Sequence, residues 1–314
     1  MREVYILCHL TRRASLPQPP PLERYRGIFQ RRLGEHASPV FSLPELRSIL
    51  AELSAELDLP RRISMTGFVS FLEARCNVRR VDFTPENTSK DGNPYKTITK
   101  YVYGQASPYT LGLSLRPNAY LTHATAVFLH AFSEQLPKTI YVNKEQTPKP
   151  PPLGPLTQQG IDRAFAGRAR VTQFVFTAED HRYVLLNGKN TGRLEVSKHL
   201  GPQGELLDST KLERTLIDIV VRPSYAGGPF EVLEAYRRAK EKASIGVFLA
   251  TLRKLDYAYP YHQAIGFYMD RAGYRREQLA RVKEAGLSFD FYLANAMKNP
   301  AFDSTWRIYH PPGL

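Results

Sequence analysis

The stretch SLPELRSILAELSAELDLPRRISMTGFVSFLEAR, residues 42–75, contains two helical patterns separated by a proline and two arginines. Ser42, Pro44 and Glu45 have the spacing of a capping box with proline in the first turn, which predicts that a helix begins here. Pro60 is expected to end this helix. Ser64 is the predicted cap of the next one. The apolar faces of the two helices are predicted from Leu46, Ile49, Leu50, Leu53 and Leu57, and from Met65, Phe68, Val69 and Leu72.

The residues on either side extend this pattern into a compact unit. Residues 22–33 have apolar side chains at helical spacing, and Gly34 follows as a stop signal. Residues 78–83 and 96–103 alternate as two strands, joined by a polar loop with Asp91 and Gly92. Two helices, a turn, a third helix and a hairpin are the layout of a winged helix-turn-helix. The sequence therefore predicts this domain over residues 22–104.

Such a domain predicts binding to double-stranded DNA, with its third helix in the major groove. The exposed side of that helix offers small groups such as Thr66 and Ser70, which supply few bidentate base contacts. We therefore expect specificity to come largely from the wing, from flanking arginines and from DNA shape. Winged helices also serve as protein-interaction modules, and that alternative stays open. The predicted DNA-binding residues are Arg61, Arg62, Ser64, Thr66, Ser70, Arg75, Arg79, Arg80, Lys90, Lys96 and Lys100.

Composition agrees with a polyanionic partner. The chain has 314 residues and a formal net charge of +13, with a net +5 in residues 1–103 and again in residues 211–314. Such a charge favours nucleic acid as a partner. Two cysteines exclude a disulfide framework, and no apolar run reaches the roughly 18 residues of a membrane helix. The N-terminus does not have the pattern of a signal peptide, so we expect a cytoplasmic protein.

Proline clusters and charge divide the rest of the chain. Residues 1–21 are predicted to form an N-terminal arm, and residues 105–314 a mixed α/β C-terminal domain. This domain is expected to be rich in strands up to about residue 210 and then to end in a helical bundle. The predicted fold class is thus α+β. The helices carry an expected basic face for nucleic-acid backbone, formed by Arg237, Arg238, Lys240, Arg253, Lys254, Arg271, Arg275 and Arg276.

Two groups of ionisable residues are candidate sites. His123 and His130 lie seven residues apart on a predicted helix, residues 124–136, but metal-binding histidines on a helix usually lie four apart. Glu213, Arg214 and Asp218 form a second group, close to Arg222 and the Gly227-Gly228 turn. An active site is one interpretation, and a buried charge network is the favoured one, since no metal-ligand set or nucleophile–base pair accompanies them. We therefore predict no catalytic residue, no metal and no cofactor.

Three stretches carry a resemblance to a known family: LSLRPNAYLTH at residues 113–123, LPKTIYVN at residues 136–143, and ERTLIDIVVRPSYAGG at residues 213–228. From about residue 42 to the end, where Trp306 and Tyr309 also fit, the chain resembles the antitoxins of AbiE-type (abortive infection) type IV toxin–antitoxin systems. The resemblance implies a winged helix that represses the chain's own operon. It also implies a C-terminal domain that counteracts a nucleotidyltransferase-like toxin without a stable complex, in antiviral defence. It supplies no catalytic residue.

Two alternatives compete with this hypothesis. A nucleic-acid-modifying enzyme, such as a nuclease, would use carboxylates in the strand-rich region, where Glu179, Asp180, Glu195 and Lys198 are the only support. Their spacing is not the usual carboxylate–x–Lys pattern of metal-dependent nucleases. A protein-interaction scaffold would show no salt-dependent affinity for DNA. We expect the chain not to be an enzyme.

Overall fold

The computed structural model describes residues 22–57, 59, 63–86, 96–150 and 154–314. The predicted N-terminal arm, Pro60, Arg61, Arg62 and Lys90 lie outside this part of the chain. Two compact units are present. The first contains the described residues up to Arg80 together with Tyr101–Gly104, and the second contains the described residues of 81–100 together with Gln105–Leu314. Each unit is described by itself below.

The first unit consists of helices and a small set of strands. A 3₁₀ turn, Glu23–Tyr25, precedes α1 (Arg26–Gly34), and then follow β1 (Val40–Phe41), α2 (Leu43–Glu56) and α3 (Met65–Arg75). Two longer strands, β2 (Val78–Pro85) and β3 (Ile98–Tyr103), each begin in one unit and end in the other. The strands are ordered β1-β3-β2, and β1 pairs antiparallel with β3.

Capping and apolar packing explain the helices of this unit. The Ser42 hydroxyl oxygen accepts a hydrogen bond from the Glu45 N–H, and the Glu45 carboxylate accepts one from the Ser42 N–H at 2.6 Å, so the predicted capping box is present. The core forms around Phe29, which is fully buried. The ring of Phe29 meets those of Phe68 and Phe71 edge to face, at centroid distances of 5.2 and 5.9 Å. These contacts fix α3 against α1.

The second unit begins with a sheet. Its elements are α4 (Pro108–Leu113), β4 (Tyr120–Leu121), α5 (His123–Leu129), β5 (Thr139–Glu145), α6 (Gln158–Ala166), β6 (Val175–Ala178), β7 (His181–Gly188), β8 (Val196–Leu200) and β9 (Leu206–Thr210). The strand order is β2-β6-β7-β5-β4-β9-β8. The pairs β5–β7 and β4–β9 are parallel, and the other pairs along the sheet are antiparallel.

Helices and a second, small sheet complete this unit. The elements are α7 (Leu212–Val221), a 3₁₀ turn (Pro223–Ala226), α8 (Pro229–Ala239), α9 (Ile245–Leu255), α10 (Tyr261–Arg271), α11 (Arg276–Lys283), β10 (Phe291–Tyr292), β11 (Ala301–Asp303) and β12 (Ile308–His310). The last three strands are ordered β10-β12-β11. Trp306 follows β11 and precedes β12 along the chain, and its side chain is fully buried. Its indole N–H donates to the Asp270 carboxylate at 2.9 Å.

The α+β class is confirmed, but three expectations need correction. The large sheet, and not the N-terminal helical unit, is the dominant feature, and the chain ends in a three-stranded sheet and not in a helical bundle. The predicted helix of residues 124–136 stops at Leu129. Ala131 adopts φ +59°, and the N–H groups of Ala131 and Phe132 bond to the carbonyls of Phe128 and Val127. This is a Schellman ending.

Among the described residues, no helix has the length and apolar character needed to cross a membrane.

Candidate functional site

Helix α3 presents a surface of small polar groups. Its N-terminus is capped by the Ser64 hydroxyl, which accepts a hydrogen bond from the Gly67 N–H at 3.0 Å. Phe68, Phe71 and Leu72 are buried on its inner side. The predicted contact residues Thr66 and Ser70 are exposed on the other side, and Arg75 is exposed in the last turn. Packing therefore fixes the helix from within, while its outer side has room for a close approach.

The remaining predicted DNA-binding residues are divided between the two units. Arg79 and Arg80 belong to the part of β2 that lies in the first unit, whereas Lys96 and Lys100 belong to the second. Arg61, Arg62 and Lys90 lie outside the described residues. The described members of the predicted set in the first unit are thus Ser64, Thr66, Ser70, Arg75, Arg79 and Arg80.

Part of the predicted basic face in the second unit is engaged in ion pairs. Arg237 and Arg238 both contact the Glu234 carboxylate, and Arg238 also contacts Glu134 at 3.2 Å. The Arg271 guanidinium lies 3.6 Å from Asp303 and over the ring of Phe267. The other members are Lys240, which is partly exposed, and Arg253, Lys254, Arg275 and Arg276, which are exposed.

An ion pair lies inside the second unit, on α7. Arg214 is 4% exposed and Asp218 5%, and the Arg214 Nε–H donates to Asp218 Oδ1 at 2.8 Å. A second guanidinium N–H of Arg214 donates to the carbonyl of Leu194 at 2.9 Å. Burial works against the charged guanidinium, yet the Asp218 carboxylate holds the pKa of Arg214 above its usual value. The favoured interpretation, a buried charge network, matches this geometry.

Glu213 is not part of that ion pair. Its carboxylate accepts a hydrogen bond from the Ser244 N–H at 2.8 Å, at the start of α9. Arg222 is exposed at the end of α7. The reason is helical geometry: residues four apart, such as Arg214 and Asp218, share a helix face, whereas Glu213 lies about 100° away from Arg214.

The network continues from Asp218 to a buried histidine. The Thr122 hydroxyl donates to Asp218 Oδ2 at 3.1 Å, and the Thr122 hydroxyl oxygen lies 3.1 Å from His123 Nδ1. A hydroxyl has one proton, and Thr122 donates it in the hydrogen bond to Asp218. The Thr122 oxygen therefore acts as the acceptor for His123 Nδ1–H. Burial lowers the pKa of His123 to about 4, which keeps the ring neutral. His123 therefore presents an unprotonated Nε2 atom.

A half-buried carboxylate organises the adjoining loop. Glu145 accepts hydrogen bonds from the Thr191 side chain and N–H, from the Arg193 N–H and from the Tyr120 hydroxyl. Burial alone raises its pKa, but these bonds, led by those of Thr191, hold it below the usual value. Tyr120 in turn accepts from the Asn143 amide at 2.7 Å. The sequence carried no signal for this cluster, because its hydrogen-bonded pairs are 23 to 48 residues apart.

The candidate residues of a nuclease or metal site lie in a hairpin turn or contact other side chains and backbone groups. Glu179 and Asp180 form the two-residue turn between β6 and β7. Glu195 pairs with Lys211, and Lys198 with Asp208, both at 3.0 Å. His130 Nε2 lies 2.9 Å from the Thr210 carbonyl oxygen, whereas His123 bonds to Thr122, so the two histidines share no partner among these bonds. Within the described ranges, no three His, Cys, Asp or Glu residues form a group that could hold a metal ion.

Comparisons with known proteins give a likeness of fold only. No protein-family model matches the chain, and no curated protein matches it. Among solved structures, the chain is similar to the RV2827C protein from Mycobacterium tuberculosis, with a TM-score of 0.55 and 12% sequence identity. The similarity covers 91% of each chain. At this identity the likeness concerns the arrangement of elements, over nearly the whole length of both chains.

Proposed function

We propose that the chain binds double-stranded promoter DNA through the first unit, which we interpret as a winged helix-turn-helix. The observation that carries this proposal is the outer side of α3, where Ser64, Thr66 and Ser70 are exposed beside a capped helix N-terminus. The element order α1-β1-α2-α3-β2-β3 and the β1–β3 pair support it, since this is the order of winged helices. The net charge of +13 provides attraction to phosphate.

The wider proposal is a transcriptional autorepressor that also acts as an antitoxin. Its support is the family resemblance of residues 113–123, 136–143 and 213–228, together with the charge. Under this proposal the second unit counteracts a nucleotidyltransferase-like toxin from the same operon without a stable complex. The chain itself then needs no catalytic residue.

Binding through α3 is tested by adding a negative charge to its outer side. Ser70→Glu is expected to weaken binding to a duplex of the chain's own promoter at least tenfold, because the carboxylate meets phosphate or a base edge without a partner. Ala51→Glu is the matched control, since Ala51 is exposed on α2 of the same unit. Fluorescence anisotropy at one fixed salt concentration measures both variants. Equal loss in the two variants would place the contact elsewhere.

Salt and magnesium separate the competing functions. For the unaltered chain, the logarithm of the binding constant should fall linearly with the logarithm of salt concentration, with a slope set by the number of phosphate contacts. A constant unchanged by salt favours the protein-interaction scaffold. Cleavage of supercoiled DNA in the presence of Mg²⁺, lost in Asp180→Asn with Glu195→Gln, would instead support the nuclease hypothesis.

The antitoxin role is tested by growth. The gene next to this one is expressed alone and with variants of the chain, beside a promoter reporter. Arg61→Ala with Arg62→Ala is expected to lose repression and keep protection, whereas Arg253→Ala with Lys254→Ala should weaken protection. The second pair is exposed in the last turn of α9. Loss of both activities in the first pair would mean that protection operates only through repression.

A further inference from the structure

The second unit contains a cavity of about 530 Å³ beside His123. Small-molecule sites commonly enclose about 300–1,000 Å³, so the cavity has the size for a ligand. Its wall is formed by the loop before β6, by the ends of β5 and β7, and by the turn after α7. The lining includes His123, Arg170, Thr172, Arg222 and Tyr225.

The charge of this wall is positive. Arg170 and Arg222 line the cavity, and no aspartate or glutamate does. Both guanidinium groups are exposed, and within the described residues neither has an acidic group at ion-pair distance. Arg222 acts electrostatically on the neighbouring His123 and disfavours its protonated form. Guanidinium groups bind phosphate oxygens through paired N–H groups.

The cavity wall also has an apolar part with directed polar atoms, which Tyr225 and His123 supply. The Tyr225 ring packs edge to face on His123 at a centroid distance of 5.4 Å, and it lies tilted against Tyr141 at 5.6 Å. Its hydroxyl oxygen accepts from the Thr172 N–H at 3.1 Å, so the hydroxyl proton remains able to donate. His123 Nδ1–H is committed to Thr122, which leaves Nε2 as an acceptor.

The backbone at His123 is unusual. Its φ angle is +51°, a left-handed conformation that non-glycine residues rarely adopt, and it occurs at the first residue of α5. Such conformations persist where the surroundings enforce them, and they are frequent at ligand sites. Here the surroundings are the chain of hydrogen bonds from Arg214 through Asp218 and Thr122. The network that stabilises the unit thus also fixes one wall of the cavity.

We propose that this cavity binds a 5′-mononucleotide, with its phosphate on Arg170 and Arg222 and its base against Tyr225. An N–H group of the base or a sugar hydroxyl donates to His123 Nε2. This site lies entirely in the second unit and is independent of DNA binding by α3. It requires three kinds of group at once, an anion, a flat ring and a donor, which a free phosphate or an unphosphorylated nucleoside does not combine.

Calorimetric titration of the full chain with adenosine and guanosine 5′-monophosphates tests this proposal. At least one mononucleotide is expected to bind saturably. Inorganic phosphate and the corresponding nucleoside are expected to bind at least tenfold more weakly. Arg170→Ala with Arg222→Ala should reduce affinity at least thirtyfold. Arg163→Ala, which removes an exposed arginine outside the cavity, should leave it unchanged.

Two further measurements keep the outcome clear. Thermal melting of each variant measures whether the protein is folded. Both arginines are exposed, so we expect their removal to leave the core intact. Tyr225→Phe retains the ring and loses the hydroxyl, and is expected to reduce affinity about threefold to tenfold. Undetectable binding at 1 mM, equal affinity for inorganic phosphate, or full affinity in the folded double-arginine variant would each overturn the proposal. Ser70→Glu should bind the mononucleotide normally, whatever its effect on DNA.

Discussion

The two units use their polar residues in opposite ways. On α3 of the first unit, Thr66, Ser70 and Arg75 are exposed, while the apolar side chains of Phe68, Phe71 and Leu72 are buried. On α7 of the second unit, Arg214 and Asp218 are buried and bonded to each other. In the first case the polar side chains are exposed to solvent, and we expect their removal to leave the fold unaffected. In the second they are part of the fold, so that any ligand role is indirect, through His123.

Breaking the buried ion pair gives the largest expected effect. Asp218→Asn keeps the shape of the side chain but leaves the Arg214 guanidinium buried without a counter-charge. The free energy of unfolding should fall by about 3–5 kcal/mol. The matched change in the first unit is Glu56→Gln, whose carboxylate contacts Arg32 at 3.1 Å and is 59% exposed. That loss should be at most about 1 kcal/mol.

Urea unfolding of both variants measures this difference. A well-folded Asp218→Asn protein of normal stability that fails to protect cells would contradict the structural role. It would then support a chemical role for Asp218.

A packing contact gives the next largest effect. A Cβ atom added to Gly266 on α10 would lie 2.0 Å from a ring carbon of Trp306, which is fully buried. Gly266→Ala should therefore destabilise the second unit by about 3 kcal/mol, the upper part of the range for overpacked cores. Gly246→Ala on α9, where the nearest atom in that space belongs to the Arg281 guanidinium and is 4.0 Å away, serves as the control.

The control should gain stability by about 0.5–1 kcal/mol through helix propensity. Equal melting temperatures of the two variants would mean that Trp306 moves aside easily. Neither variant should alter the affinity of the folded protein for DNA, because both changes lie in the second unit.

These examples show what the sequence could and could not indicate. Ser42 and Ser64 were predictable caps because a capping box is local, with every partner within three residues. The apolar face of α3 followed from its periodicity. The end of α5 was not predictable, since Ala131 carries no sign that it adopts a left-handed conformation.

The site was less predictable than the fold for the same reason. Arg214 and Asp218 are four residues apart, and their pairing was an expectation from helical spacing. Thr122, by contrast, lies 96 residues before Asp218, so only the folded chain brings them together. The closing strands β10 to β12 have two or three residues each, too few for an alternating pattern to appear.

Acid should weaken the second unit through its buried histidine. In the unfolded chain His123 takes up a proton below about pH 6.5, but burial lowers its pKa in the folded protein to about 4. Between these values the unfolded state binds more protons, so stability falls as pH decreases from about 6.5 to 4, by up to about 1.4 kcal/mol per pH unit. The pKa values of His130 and His262 are also lowered by burial and add in the same direction.

Urea unfolding at a series of pH values measures the total effect, and NMR titration of the imidazole signals assigns it to single residues. His123→Gln should reduce the slope by about one proton. An imidazole of His123 that titrates near pH 6.5 in the folded protein would argue against its burial in the Thr122–Asp218 network.

The smallest expected effect concerns polar residues of the second unit that lie outside the network. Glu179 and Asp180 occupy a two-residue hairpin turn with φ angles of +48° and +59°, a conformation for which asparagine and glycine are the preferred residues. Left-handed conformations cost most residues about 1–2 kcal/mol, so Glu179→Asn with Asp180→Gly should raise the free energy of unfolding by about 1 kcal/mol. The hydrogen bond between His181 Nδ1 and the Glu179 carbonyl involves the backbone and should persist. If exposed polar groups of this unit are dispensable and only buried ones are structural, the double variant gains stability and retains DNA binding and protection. Thermal melting measures its stability, and the growth assay measures protection. A more stable protein without protection would show instead that these two carboxylates act on a partner. Exposed polar groups would then serve a partner in both units, and the difference in burial between Thr66 or Ser70 and Arg214 or Asp218 would no longer separate the units.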